Sequence, residues 1–169
     1  MAFRGPYTKL FCHIVWATWD RLPLIDAEVE PRLHGMIQNK LRELDCVSIA
    51  TGGVEDHVHV VCQFPPTLAI SELVKRIKGA SSHFVSDELA GRETFRWQGT
   101  YGCFTIGESA LPKVKAYVLN QRQHHASDDT HREWERVWID DPVESNDQSP
   151  QGDFTMMSGD FQSPDKRNA

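Results

Sequence analysis

No CxxC pair, no long apolar run and no internal repeat occurs in these 169 residues, and each absence removes a class of protein. The four cysteines, Cys12, Cys46, Cys62 and Cys103, are too scattered for a disulfide framework or a thiolate zinc site; three sit in strand-like runs, where a reduced, packed thiol is expected. No window approaches the roughly 20 apolar residues a bilayer span needs, and MAFRGPYTKLFCHIVWAT is no signal peptide, so a cytoplasmic protein without a membrane partner is expected. Positive charge is also scarce, with a net −6, but the deficit is local. Residues 1–126 hold 14 Lys+Arg against 13 Asp+Glu, whereas residues 127–169 hold 4 against 11. The acidity belongs to the tail, so the whole-chain charge does not exclude a nucleic-acid partner for the folded part.

What is present reads as one domain. From Tyr7 to Trp16 the apolar pattern alternates, with Leu10, Cys12, Ile14 and Trp16 on one face and Phe11, His13 and Val15 on the other, which predicts a strand. Asp26 is placed to cap a helix whose stripe is Val29, Leu33, Met36, Ile37, Leu41 and Leu44. CVSIATG reads as a strand, Gly52-Gly53 as a tight connection, and EDHVHVVCQF as the antiparallel neighbour, stopped by Pro65-Pro66. A second helix is expected from about Leu68 to Leu89, buried through Ile70, Leu73, Val74, Ile77, Phe84 and Val85 and ended by Gly91. FRWQ and GCFTIG predict a short and a longer strand, and Ser109 is placed to cap a third helix, with Pro112 in its first turn, running to about His125. The order β-α-β-β-α-β-α suggests an α+β, ferredoxin-like (RRM-like) sandwich: an antiparallel sheet with helices on one face, extended by a C-terminal, tyrosine-bearing helix. HREWERVWI is read as one more short helix with Trp134, Val137 and Trp138 on a face, giving one folded domain over 1–139. Residues 140–169, rich in Pro, Gly, Ser, Asp and Gln, read as a disordered acidic tail.

The EDHVHVV strand carries the first chemical signal. Residues two apart on a strand share a face, so His57 and His59 project together while Val58, Val60 and Cys62 point the other way. Two imidazoles can grip one divalent ion but need further ligands. In YVLNQRQHH, Tyr117 and Gln121 are four residues apart and stack on one helix face. Together these residues suggest an ion held by His57, His59 and the Gln121 amide oxygen, gripping a phosphodiester that Tyr117 attacks. A phenol with a pKa near ~10 needs a nearby cation or base to react at neutral pH. A covalent phosphotyrosine would then conserve the ester energy for rejoining.

The segment HIVWATWDRLPLI, the EDHVHVV strand, WQGTYGCFTI and the helix YVLNQRQHH, in this order, resemble the single-tyrosine HUH transposases of the insertion-sequence and REP-associated type. The resemblance spans roughly residues 7–138. It implies cleavage and transfer of single-stranded or hairpin DNA through a 5′-phosphotyrosine, Mg²⁺ or Mn²⁺ as cofactor, a homodimer, His57, His59 and Gln121 as metal ligands and Tyr117 as nucleophile. The turn Trp19-Asp20-Arg21 is less basic than in many relatives. The alternative reading is a domesticated hairpin-binding regulator without chemistry. Lys75, Arg76 and Lys78 on the second helix, and Lys113, Lys115 and Arg122 near the tyrosine, are candidate phosphate contacts. His13 is expected to be hydrogen-bonded rather than a ligand, Asp56 to lie at the turn into the histidine strand, and Trp97 and Tyr101 to pack.

Overall fold

The computed structural model describes residues 7–89, 91–131 and 134–135. Val137, Trp138 and the acidic tail lie outside the described residues. Four strands, β1 (Phe11–Ala17), β2 (Val47–Val54), β3 (His57–Gln63) and β4 (Gly102–Ile106), form one antiparallel sheet in the order β2-β3-β1-β4. Helix α1 (Val29–Glu43) connects β1 to β2, and α2 (Ile70–Glu88) connects β3 to β4. This is the α+β ferredoxin-like order that the alternating and helical patterns predict.

β1 lies at the centre and is buried along its whole length, because each of its faces is covered. Cys12, Ile14 and Trp16, with Val58, Val60 and Cys62 of β3, pack under Leu33, Ile37 and Leu41 of α1 and Leu73 and Ile77 of α2. Each fully buried aliphatic contributes about 1.5–3 kcal/mol by leaving water, so this layer supplies most of the stability. Asp26 starts α1 as its position suggests, its Oδ1 accepting from the backbone N–H of Glu28 and Val29 at 3.0 and 2.9 Å. α2 ends before Gly91, which takes φ 77°.

Three expectations are corrected. Gly52 and Gly53 are not the hairpin connection but belong to β2, and Glu55-Asp56 makes the turn between the paired Val54 and His57. The glycines answer a steric demand: a Cβ on Gly52 would stand 1.9 Å from the Val118 carbonyl oxygen, and one on Gly53 2.2 Å from that of His57. FRWQ forms no strand beyond a single bridge between Thr18 and Trp97, whose ring is buried and donates from Nε1 to Ser81 Oγ at 2.9 Å. The last helix is broken. After a 3-10 turn (Glu108–Ala110) that contains the non-capping Ser109, α3 (Leu111–Leu119) stops at Asn120 (φ −106°, ψ 22°) and α4 (Gln121–Ala126) begins. Asn120 bonds its own Nδ2 to the Ala116 carbonyl at 2.9 Å, a side-chain competition with the helix that asparagine is prone to.

α3 packs on the opposite face of the sheet from α1 and α2. Val114, Tyr117 and Val118 meet Ala50 and Val61 there, and Gly52 lets the α3 backbone touch β2. No helix among the described residues is long and apolar enough to cross a membrane.

Candidate active site

The strand period delivers His57 and His59 to the face that α3 covers, so both are buried, at 1% and 0% exposure. Tyr117 on α3 and Gln121 at the start of α4 are buried over the same face, at 6% and 1%. The helix breaks at Asn120 between them, yet the two residues stay in contact: the Gln121 amide Nε2 donates to the Tyr117 carbonyl at 3.5 Å. The four residues singled out in the sequence are therefore brought together by one chain.

A fifth joins them that sequence reasoning missed. The carboxylate of Glu135 has Oε2 3.2 Å from His57 Nε2 and 3.3 Å from His59 Nε2, while its Oε1 accepts the hydroxyl of Tyr117. That hydroxyl in turn accepts the backbone N–H of His131 at 3.1 Å. Glu135 lies in HREWERVWI, where the apolar pattern drew attention to the tryptophans. Nothing local in that segment marks its carboxylate, which meets the histidines only through tertiary folding.

Behind the pair, the two rings are supported differently. His57 Nδ1 is 2.5 Å from Asp56 Oδ1, and Asp56 Oδ2 is held by Arg21 at 3.1 Å. Asp56 thus makes the turn and also orients a histidine. His59 Nδ1 is 2.8 Å from Nε2 of His13, which is hydrogen-bonded as expected. The charges follow. Burial disfavours charge on His57, but Asp56 and Glu135 outweigh it and push it up to about 9. Burial holds His59 below the usual imidazole range and takes His13, beside it, down to about 3. Burial would raise Glu135, yet the two histidines hold it well below the carboxylate range. Burial and the bond to Glu135 raise Tyr117 to about 12, against the pull of Gln121, so the phenol keeps its proton at neutral pH.

The donor set fits a divalent ion. His57 Nε2, His59 Nε2 and Gln121 Oε1 are buried atoms that no hydrogen bond satisfies, a costly arrangement unless something else fills their valence. His57, His59 and Glu135 are the one group of three such ligands among the described residues. Two atoms bound cis to one ion at about 2.1 Å stand roughly 3 Å apart, which is the separation of Glu135 Oε2 from each imidazole.

The candidate phosphate contacts are divided. Lys75, Arg76 and Lys78 ride on α2, across the sheet from Tyr117; Arg76 pairs with Glu72, and Lys78 donates to the carbonyls of Gln98 and Thr100. Arg122 is clasped by Glu30 and Glu55 at 2.5 and 2.8 Å. Lys113 and Lys115 are exposed on α3, and Lys113 lies 5.7 Å over the Trp134 ring at a cavity of about 370 Å³ that Tyr117 and His124 also line. His124 packs 4.8 Å from Tyr117 and His125 5.0 Å from His57, ring to ring.

The ferredoxin-like sheet thus brings a buried histidine pair face to face with a tyrosine. A profile of the IS200-like transposases matches residues 6–121, and the chain belongs to that family. It is 26% identical to the ISDra2 transposase TnpA of Deinococcus radiodurans, over 70% of this chain and 88% of that one. The crystal structure of a protein assigned as a transposase from Deinococcus radiodurans R1 superposes with a TM-score of 0.55 at 25% identity, covering 72% of this chain and 97% of the other. A REP-associated tyrosine transposase bound to a REP hairpin shares the fold, with a TM-score of 0.54 at 17% identity over 74% of each chain. The protein is thus a DNA transposase by family, a family that points to a divalent metal, and the non-catalytic regulator is not favoured.

Proposed function

We propose that the protein cuts and rejoins single-stranded DNA through a covalent bond between Tyr117 and a 5′ phosphate. One observation carries this reading: a single half-buried carboxylate, Glu135, touches the Tyr117 hydroxyl with one oxygen and both histidine Nε2 atoms with the other. Nucleophile and ligand set are thereby held within one side chain of each other. His57, His59 and Gln121, with Glu135, would hold Mg²⁺ or Mn²⁺. A bound divalent ion lowers the phenol pKa and offsets charge on the phosphoryl oxygens.

The residues themselves supply orientation and shielding. Burial of Tyr117 beside Val114 and Val118 keeps the phenol ring from swinging, and water is largely excluded from the histidine face. In the step, the Tyr117 proton leaves, its oxygen forms a bond to phosphorus, and the bond from phosphorus to the 3′ oxygen breaks. That oxygen takes a proton to become the 3′ hydroxyl. Rejoining reverses the exchange with another 3′ hydroxyl, so no nucleotide energy source is needed. Lys113 and Lys115, exposed on the helix of the tyrosine, are placed to hold the flanking phosphates. A hairpin is the favoured DNA form, as in the REP-bound neighbour, and the work is cytoplasmic. A homodimer, which the family resemblance implies, would present two such sites, each complete in its own chain.

The test is incubation with single-stranded DNA from the ends flanking the gene, with Mn²⁺ or EDTA, read by denaturing electrophoresis and intact mass. A metal-dependent adduct on Tyr117 is expected. Cleavage that persists in Tyr117→Phe would instead mean a hydrolase using the same histidines, and tight hairpin binding without any adduct would mean a regulator.

A further inference from the structure

The two histidines of the pair differ in what stands behind them. Asp56 is a carboxylate and accepts only, so His57 carries a proton on Nδ1 and leaves Nε2 as the ring atom that faces the Glu135 carboxylate. His59 is backed by another imidazole. His13 sits on β1 at 1% exposure, paired across the sheet with Val61, and its ring lies edge to edge with that of His59, centroids 5.0 Å apart and planes 20° from parallel. Its Nε2 meets His59 Nδ1 at 2.8 Å, and its own Nδ1 is buried with no hydrogen-bond partner.

One hydrogen bond between two neutral imidazoles has two forms. In the first, His13 donates from Nε2; His59 then carries its proton on Nε2, toward Glu135 Oε2 at 3.3 Å, and the unpartnered His13 Nδ1 is a bare lone pair. In the second, His59 donates from Nδ1; its Nε2 lone pair is free, and the His13 proton moves to Nδ1. Only the second leaves His59 able to ligate. The first suits the metal-free site, since it gives the Glu135 carboxylate a donor and leaves unsatisfied an acceptor rather than an N–H. A carboxylate in the place of His13 would lock the second form, and an ammonium the first. An imidazole permits both without breaking the bond.

We propose that His13 is a positioning residue that switches the tautomer of His59 between a metal-free and a metal-binding form. This rests on the assignment of His57 and His59 as metal ligands. The switch moves no net charge, because a proton lost from Nε2 of each ring reappears on its Nδ1. It explains why a polar ring occupies the centre of the sheet on a face otherwise packed by Val15 and Val61, and why one atom of that ring goes unpaired.

The experiment is ¹⁵N imidazole spectroscopy of the full chain, titrated with Mg²⁺. His13 and His59 should change together from Nε2–H to Nδ1–H as the ion binds, while His57 stays Nδ1–H throughout. Calorimetry with Mn²⁺ on His13→Phe should show affinity lower by about 10- to 100-fold, the usual cost of losing a group that orients a ligand. His13→Gln, whose amide can also donate or accept, should recover most of it and serves if the Phe variant does not fold. A His13 tautomer that is the same with and without Mg²⁺, or a folded His13→Phe that binds Mn²⁺ like the native chain, would overturn the switch alone. Failure of the native chain to bind either ion would overturn the ligand assignment and the switch with it.

Discussion

The two faces of the sheet are built from the same strands and do opposite things. On the α1 and α2 side, β1 and β3 offer Cys12, Ile14, Trp16, Val58, Val60 and Cys62, and the layer above is continuous aliphatic packing. On the α3 side the same strands offer His13, Val15, His57, His59 and Val61, and four of the buried side-chain atoms without partners belong to His13, His57, His59 and Gln121. One face gains free energy from burial; the other spends some of it keeping polar atoms dry. A residue period of two therefore separates stability from chemistry within a single strand, and substitutions one position apart should differ in kind.

The largest expected effect is on the polar face. Tyr117→Phe removes one oxygen and leaves the ring packed on Val114 and Val118; adduct formation should fall by at least ~10⁴-fold, as when a nucleophile is deleted, with Mn²⁺ affinity kept. Adduct mass and calorimetry check it, and an adduct that survives would make the polar face something other than a nucleophilic site. The dry face should behave inversely. Ile37→Ala opens a cavity under the sheet at a residue with 0% exposure and should cost about 2–5 kcal/mol in denaturant unfolding. The protein that remains folded should bind Mn²⁺ and cleave DNA as the native chain does.

Gly52→Ala joins the two effects. Its Cβ would meet the Val118 carbonyl oxygen, a backbone atom of the helix that carries the tyrosine, so α3 must move away from β2. Stability should fall by about 1–3 kcal/mol, as for other overpacked sites, and metal affinity and cleavage should fall together. Loss of stability with an intact site would mean that the helix is free to shift without disturbing its side chains.

Much of this contrast is readable from the chain and some is not, for a physical reason. The alternation in β1, the stripe of α1 and the projection of His57 with His59 are periodic signals, and period survives whatever packs on top. The pair Gly52-Gly53 suggests a turn because glycine pairs commonly make turns; the actual cause is close backbone approach, for Gly52 from a helix 66 residues further on, at Val118, and for Gly53 from the neighbouring strand at His57. The break at Asn120 depends on one side chain competing for one carbonyl. Glu135 and the Asp56 bond to His57 are contacts, not patterns, and Glu135 becomes visible only when the segment after α4 lies against β3.

The smallest effect concerns the contact that fastens α4. Arg122 was a candidate for phosphate, yet its guanidinium lies between Glu30 of α1 and Glu55 of the hairpin turn. Half of the side chain is in water, so screening limits the two ion pairs to about 0–1 kcal/mol together, and Arg122→Gln should shift the melting temperature by no more than a few degrees. Measuring single-strand affinity across a salt series then tells its two uses apart. A phosphate contact would lower the slope of log K against log salt by about 0.7 when the charge is removed. A slope equal to that of the native chain is expected, because a guanidinium already satisfied by two carboxylates gives up as much as it gains by turning to a phosphate. Lys113→Gln on α3, with no carboxylate partner among the described ion pairs, should show the lower slope instead, which would put DNA on the polar face and leave Arg122 as the clasp that holds Gln121 there.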